Sequence, residues 1–225
     1  MDGVSTHVIN LVQRLDRRSE MERQLRRAGV TASFFPAIKP AELQGFPSIG
    51  AHGCFMSHLA VLKEGQRCHQ HVMIIEDDLD FVDDFQSRWG DIFADLEAQP
   101  WSIFYPAHFI ETLPAGISEV APGTGVMCTH FMMFHRDAVA EIIGGLELML
   151  QRPPGHSDGG PMHVDGAYST LRAQRPSLRT FAYSPALGTQ RSSRSDIADL
   201  KFYDRMAALR PTARIFRELK RSLGL

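Results

Sequence analysis

Apolar and polar positions along the chain fall into blocks whose period changes from one to the next. The opening VINLV is a continuous apolar run that reads as a buried strand, and it leads into residues 17–28. There Met21, Leu25 and Ala28 share a helical face, Asp16 is placed to cap the start, and Gly29 to stop the helix. TASFFPAI suggests a second strand, and residues 51–62 suggest a helix that brings Met56, Leu59 and Leu62 together. The clearest element is VMIIEDD, an apolar run from Val72 to Ile75 that ends abruptly in acids. A strand with no polar face belongs in the middle of a sheet covered on both sides. Residues 84–96 carry Phe85, Trp89, Ile92, Phe93 and Leu96 at helical spacing. WSIFYP is a short strand, GVMCTHFMMF another long apolar run, and Asp137 is placed to cap a helix reaching Leu150. QRPPGHSDGGPM is breaker-rich and reads as a loop. A short helix begins near Asp165, TFAY forms the last strand, and SPALGTQRSSRSD reads as loop. Strands alternating with helices predict an α/β domain with a mostly parallel sheet.

Length changes the picture little, because 225 residues make one large α/β core, here assigned to residues 1–200. Charge separates the end of the chain from the rest. Residues 201–225 hold seven Lys or Arg against two acids, a net +5 that leaves -7 on the first 200 of a chain at -2. With Phe202, Met206, Leu209, Ile215, Phe216, Leu219 and Leu223 interspersed, this reads as a basic amphipathic helical segment. Two roles stay open for it: contact with an anionic membrane surface, or helices docked on the domain with a solvated basic face. The basic residues form no stripe with interleaved aromatics, so nucleic acid is not an expected partner. Cys54, Cys68 and Cys128 fit neither a disulfide framework nor a CxxC zinc site, and no stretch reads as a signal peptide or membrane span. The expected location is the cytoplasm, with any membrane contact peripheral.

The chemistry concentrates at the end of the VMII strand. Glu76, Asp77, Asp78 and Asp80 lie where open α/β sheets bind ligands, beyond the carboxyl end of a strand. Like charges this close are tolerated best when a cation offsets them. Strand alternation points Glu76 and Asp78 the same way, with Asp77 opposite, and two hard oxygen donors suit Mn2+ or Mg2+. A solvated acidic turn, with Asp80 and Asp84 capping the next helix, is the structural alternative. The cluster also suits a phosphoryl or nucleotidyl transferase, or a non-catalytic domain that binds nucleotide-sugars or glycans. GxxxxGK[ST] and GxGxxG patterns are both missing, which removes the P-loop and Rossmann cofactor classes.

Several segments, in order, resemble glycosyltransferase family 25, the transferases of bacterial lipooligosaccharide biosynthesis related to collagen galactosyltransferase domains. VINLVQRLDRR is similar to the family's opening strand and Arg-containing turn. Gly53, Cys54, Ser57 and His58 resemble its Gly-Cys-x-x-Ser-His segment, VMIIEDDLDF its acidic strand end, PMHVDGAYSTL its later Asp-led helix, and Gln190 with Ser195-Asp196-Ile197 its closing motif. The likeness spans about residues 5–200. It implies a single GT-A-like nucleotide-sugar-binding domain with a divalent metal and a UDP-sugar donor. It also implies transfer of a hexose, commonly galactose, with inversion to an oligosaccharide or glycolipid acceptor. The chain is short for the family, and its compact Gly/Pro-rich stretch 107–125 points to a reduced acceptor region.

On that resemblance Glu76 and Asp78 are the expected metal ligands, with Asp77 bracing the turn or touching ribose. Arg14, Arg17 and Arg18 follow the first strand, where guanidinium groups suit diphosphate, while at least one of them is expected to be plain helix surface. Asn10 joins the donor-side set, with a purely structural hydrogen bond as its other reading. Ser57 and His58 are either internal hydrogen bonders or donor-sugar contacts, and the resemblance raises the second. Inverting transfer requires a base for the attacking hydroxyl. Asp165 is the first candidate and Asp196 the second, each with a helix N-cap as its alternative role. Gln190 and Arg194 lie in a polar loop suited to closing over the diphosphate. Asp158 and His163 are lesser candidates for acceptor or metal contact.

Overall fold

The computed structural model describes residues 3–191. The first strand, β1 (Val4–Asn10), runs into α1 (Leu15–Ala28), whose buried side chains are the expected Met21, Leu25 and Ala28. Gly29 ends the helix in the left-handed region at φ 65 and returns its N–H to the carbonyls of Arg26 and Leu25. Asp16 is not the cap: the helix begins at Leu15, two residues before the expected Arg17, and Asp16 pairs with the guanidinium of Arg14 instead. β2 (Ser33–Pro36) follows. Then comes α2 (Ile49–Cys68), longer at both ends than its apolar spacing indicates. Ser48 caps it by accepting the Ala51 N–H at 3.0 Å.

α2 lies very close to the sheet. A Cβ on Gly65 would stand 2.3 Å from Val72 Cγ2, so only glycine allows that approach. β3 (His71–Glu76) carries the VMII run, and the short β4 (Leu79–Phe81) leads to α3 (Phe85–Glu97). Next are β5 (Ile103–Tyr105), β6 (Gly116–Val120) and β7 (Phe131–Phe134). α4 (Arg136–Leu150) is capped by the side chain of His135 and not by Asp137. α5 (Val164–Gln174), β8 (Thr180–Ser184) and β9 (Gly188–Gln190) complete the described chain.

Seven strands form one sheet in the order β2-β1-β3-β7-β5-β8-β6, and β4 and β9 pair separately. The expectation of a mostly parallel sheet is corrected to a mixed one. β1 pairs parallel with β2 and β3, and β5 with β8, while β7 is antiparallel to β3 and β5 and β6 is antiparallel to β8. A strand buried on both faces shows the same apolar run whichever way it points, so composition does not reveal the reversal of β7. Alternate β3 side chains serve two cores. Val72 and Ile74 pack with α2, α4 and α5, and Met73 and Ile75 with α1 and α3. The result is a three-layer α/β domain.

The run GVMCTHFMMF forms a strand only in its last four residues. Its first part climbs along α5, held by side chains in place of a ladder. Just before the run, Arg172, fully buried, donates to the carbonyls of Val120, Ala121 and Thr124 and to the Thr180 hydroxyl. Ser169 Oγ accepts the Val126 N–H at 3.1 Å, and Asp165 Oδ2 accepts the Cys128 N–H at 3.4 Å. Positions 165, 169 and 172 lie on one face of a helix, which explains why a polar stripe there anchors an extended segment. Among the described residues no helix is long and apolar enough to cross a membrane. The basic segment 201–225 lies outside the described residues.

Candidate functional site

β1, β2, β3, β5 and β8 all point toward one edge of the sheet, so their last residues and the approach to β7 converge there. The acidic turn sits in the middle of that edge. β3 ends at Glu76 and the chain turns at Asp77 and Asp78, so strand alternation stops before it can align Glu76 with Asp78. This corrects the expected orientation. Glu76 reaches toward α2, where its Oε1 accepts the Thr129 hydroxyl at 2.7 Å and lies 3.7 Å from His58 Nε2. Asp77 and Asp78 instead share Arg17 of α1, whose Nη1 is 2.8 Å from Asp77 Oδ1 and 3.4 Å from Asp78 Oδ2.

Each acid has a different set of partners. Asp77 is fully engaged, since its second oxygen accepts from Asn10 Nδ2 at 2.7 Å. Asp80 is held by Gln24 at 2.7 Å and by the fork of Arg191 at 2.8–3.2 Å. Arg191 also bonds Glu20, and its backbone N–H reaches the Asp78 carbonyl at 2.7 Å. Asp78 differs. Its Oδ2 receives Gln190 Nε2 at 3.4 Å, whereas Oδ1 is buried with no partner among the described residues. Burial, then the nearby Glu76 charge, pushes the Asp78 carboxyl up to about 7. Burial also pushes Glu76 up, but His58 and the Thr129 hydroxyl more than offset it and hold Glu76 below its usual value.

Asp165 is brought to the same place. Its two oxygens accept from Cys128 N and Gly166 N, and His163, not Asp165, is the α5 N-cap. Cys128 Sγ donates to Gln190 Oε1 at 3.2 Å, and Gln190 reaches Asp78, so hydrogen bonds link Asp165 to the acidic turn. Cys128 holds a φ of 78, a left-handed conformation costly for a residue with a side chain. His130 Nδ1 lies 2.9 Å from that sulfur, and burial lowers the His130 pKa.

Other expected site residues are placed elsewhere. Ser57 is wholly buried, donates to the Gly53 carbonyl at 2.7 Å and accepts the Ile38 N–H at 2.8 Å, which docks the β2–α2 loop onto the helix. The Arg14 guanidinium pairs with Asp16 at the protein surface. Arg18 bonds Glu22 and stacks over Phe34. Asp158 is held in the 151–163 loop, where its carbonyl accepts from Arg152. Arg194 and Asp196 lie outside the described residues. Sequence reasoning passed over Thr129, His130, Gln24 and Arg191. The polar triplet Cys128-Thr129-His130 at the head of FMMF was the one available signal.

Two groups of side chains could hold a metal ion. Cys54, His58 and Glu76 bring ligand atoms within 4.8 Å of one another at the acidic turn. His71, Glu97 and His135 do so at the opposite edge, where both Nδ1 atoms accept backbone N–H groups, of Arg136 and Asp137. A metal at Nε2 needs that nitrogen bare, and the Nδ1 bonds put the proton on it, so the second group is built as a brace.

The fold and site thus define an α/β domain with a candidate cation-binding cluster at the carboxyl ends of its strands. The model of glycosyltransferase family 25 (LPS biosynthesis protein) matches residues 4–109, a stretch that includes Asn10, Arg17, His58 and the acidic turn. This relationship covers just under half of the chain; Cys128, Asp165 and Gln190 lie beyond it. No curated protein matches the chain. Among solved structures, a glycosyltransferase involved in the glycosylation of the major capsid of PBCV-1 is similar at 10% identity and a TM-score of 0.41. The similarity covers 81% of this chain and 94% of that one, and is too slight to bear on the site.

Proposed function

We propose that the protein is a metal-dependent, inverting glycosyltransferase of GT-A type. It moves a hexose, galactose, from a UDP-sugar to a hydroxyl of a glycan or glycolipid acceptor of the lipopolysaccharide class. The observation that carries this reading is the unpartnered buried oxygen of Asp78 beside Glu76, at the strand ends of a stretch matching a glycosyltransferase family. Buried polar atoms are rarely left without partners, and a raised carboxyl between two other acids is one that a divalent cation would ionise. The donor set fits Mn2+ or Mg2+. Asp78 and Glu76 would hold the ion, which supplies neutralising charge to the leaving diphosphate.

Asp77 acts as a brace, because Asn10 and Arg17 take both its oxygens. Arg17, held at the turn by Asp77 and Asp78, extends the positive side of the site toward the diphosphate. Gln190 closes the opposite side on its ribbon with β4. In the transfer, the acceptor oxygen bonds to the anomeric carbon while the bond from that carbon to the diphosphate oxygen breaks. The diphosphate leaves with the electron pair, and the hydroxyl proton passes to a carboxylate. Asp165 is the first choice of base, since it is tied to the acidic turn through Cys128 and Gln190, and Asp196 is the second. Three free cysteines support action in the cytoplasm, at the inner face of the membrane that holds such acceptors.

Calorimetric titration of UDP into the full chain, with and without Mn2+, tests the reading. Binding that requires Mn2+ and is lost in Asp78→Asn is expected, followed by release of UDP from UDP-galactose. No UDP binding in either condition would overturn the donor assignment.

A further inference from the structure

On the sheet face covered by α2, α4 and α5, a buried imidazole beside the end of β3 is left with incomplete hydrogen bonding. His58 has 0% exposure, and its Nε2 has no partner among the described residues. Its other nitrogen, Nδ1, meets the Tyr168 hydroxyl at 3.3 Å. Cys54 and His58 are four residues apart on α2 and so share a face, and both turn toward Glu76 at the end of β3. The nearest Glu76 oxygen is 3.7 Å from His58 Nε2, too far for the charge-assisted hydrogen bond that a protonated imidazole would make with a carboxylate. Two ligands of one ion at bond lengths of about 2.1 Å stand roughly 3–4 Å apart, which is the spacing found. Tyr168 accounts for the other side of the ring. With the Tyr168 hydroxyl accepting from Nδ1–H, a bound ion takes the Nε2 lone pair in place of the proton through which His58 lowers Glu76 in the metal-free chain.

We propose that His58 Nε2 is a ligand of the cation, joining the Glu76 carboxylate on the inner side of the seat, with the Cys54 thiol as the third group of that cluster. This rests on the reading of Glu76 and Asp78 as the cation-binding acids, and it adds a selectivity. A nitrogen donor backed by sulfur favours transition ions over Mg2+, which prefers oxygen donors and keeps much of its water. Mn2+ and Co2+ therefore bind ahead of Mg2+, with Co2+ the tighter of the two. The proposal also explains a helix that is apolar around a wholly buried histidine: α2 carries His58 to the inner side of the acidic turn, where no other described side chain supplies a nitrogen to Glu76.

The test uses the full chain, stripped with chelator and loaded with Mn2+ alone. Pulsed electron paramagnetic resonance reads whether a nitrogen is coupled directly to the bound ion. The coupling is expected in the wild type and in His130→Gln, which removes the other unpartnered buried imidazole near the turn. It should vanish in His58→Gln, with Mn2+ affinity falling roughly 10–100-fold. Because His58 is fully buried, the wild-type and His130→Gln spectra carry the decision without the His58 variant. Bound Mn2+ without nitrogen coupling overturns the His58 assignment and leaves the carboxylate seat intact. Coupling that is lost in His130→Gln overturns it as well. Absence of Mn2+ binding by the wild type removes both this inference and the metal-dependent reading beneath it.

Discussion

Replacing Asp78 by Asn should stabilise the metal-free protein while abolishing its response to metal. Asp78 is 5% exposed, and burial together with Glu76 raises its carboxyl from 3.8 to about 7. Below pH 3.8 both folded and unfolded chains hold the proton, and the site costs nothing. Between 3.8 and about 7 the unfolded chain releases it and the folded chain keeps it, so stability falls as pH rises through that window. By neutrality the accumulated cost is about 4 kcal/mol at about 1.4 kcal/mol per unit. Asparagine keeps the shape and an acceptor for Gln190, but gives up the attraction of Arg17 at 3.4 Å. Half the cost recovered, about 2 kcal/mol, is a reasonable net gain, equivalent to about 4–8 °C in Tm for a chain of this size. Urea and thermal unfolding at pH 7.5 in EDTA measure it. Adding Mn2+ at a hundred times its Kd should then reverse the ranking, since binding contributes about 2.7 kcal/mol to the wild type and nothing to the variant. A variant less stable than wild type in EDTA, or one that gains equally from Mn2+, would refute the claim that Asp78 is an ionic strain relieved by a cation.

Three further perturbations test the frame around the site. Arg191→Ala should loosen the β4–β9 ribbon and raise the Kd for Mn2+–UDP about fivefold, or about 1 kcal/mol. Arg191→Lys should not rescue it, because the bond to Asp80 is a fork; equal affinity in titrations of all three proteins would remove Arg191 from the site. Arg172→Met leaves the carbonyls of Val120, Ala121 and Thr124 without their donor and should cost about 3 kcal/mol in urea unfolding, with a loss below 1 kcal/mol showing that the anchor is dispensable. At the far edge, burial lowers His71 from 6.5 to about 4, so the unfolded chain binds the extra proton first and stability drops as pH falls through that window. The loss is up to about 3 kcal/mol, and His71→Asn, which keeps an acceptor for the Arg136 N–H, should flatten it; parallel pH profiles for the two proteins would exclude His71 as the cause.

The parts of this molecule that are readable in sequence are those whose cause is local. Met21, Leu25 and Ala28 bury as their spacing indicates, and VMII is a central strand because nothing else buries both faces of four consecutive apolar residues. β4 and β9 have three residues each, too few to show a period, and they exist because they pair with one another across more than a hundred residues. GVMCTHFMMF is one apolar run in sequence, yet its first half is held by Ser169 and Asp165 of α5, and the residues just before it by Arg172, whose shared helix face is visible in sequence while the segment they hold is not.

The acidic turn shows the same division more sharply. Four acids after an apolar strand mark the place, but they do not say which oxygen remains for a ligand. That depends on subtraction: Asn10 and Arg17 remove Asp77, Gln24 and Arg191 remove Asp80, and Thr129 takes one oxygen of Glu76. Every one of these partners comes from another segment of the chain, 53–111 residues away. Asp78 and the second oxygen of Glu76 are left by this accounting, and not by any property of their own neighbourhood in the sequence. A residue type with a high intrinsic cost of burial, kept ionisable among acids and given no donor for one oxygen among the described residues, is the pattern from which the proposal of Asp78 as a cation ligand is argued.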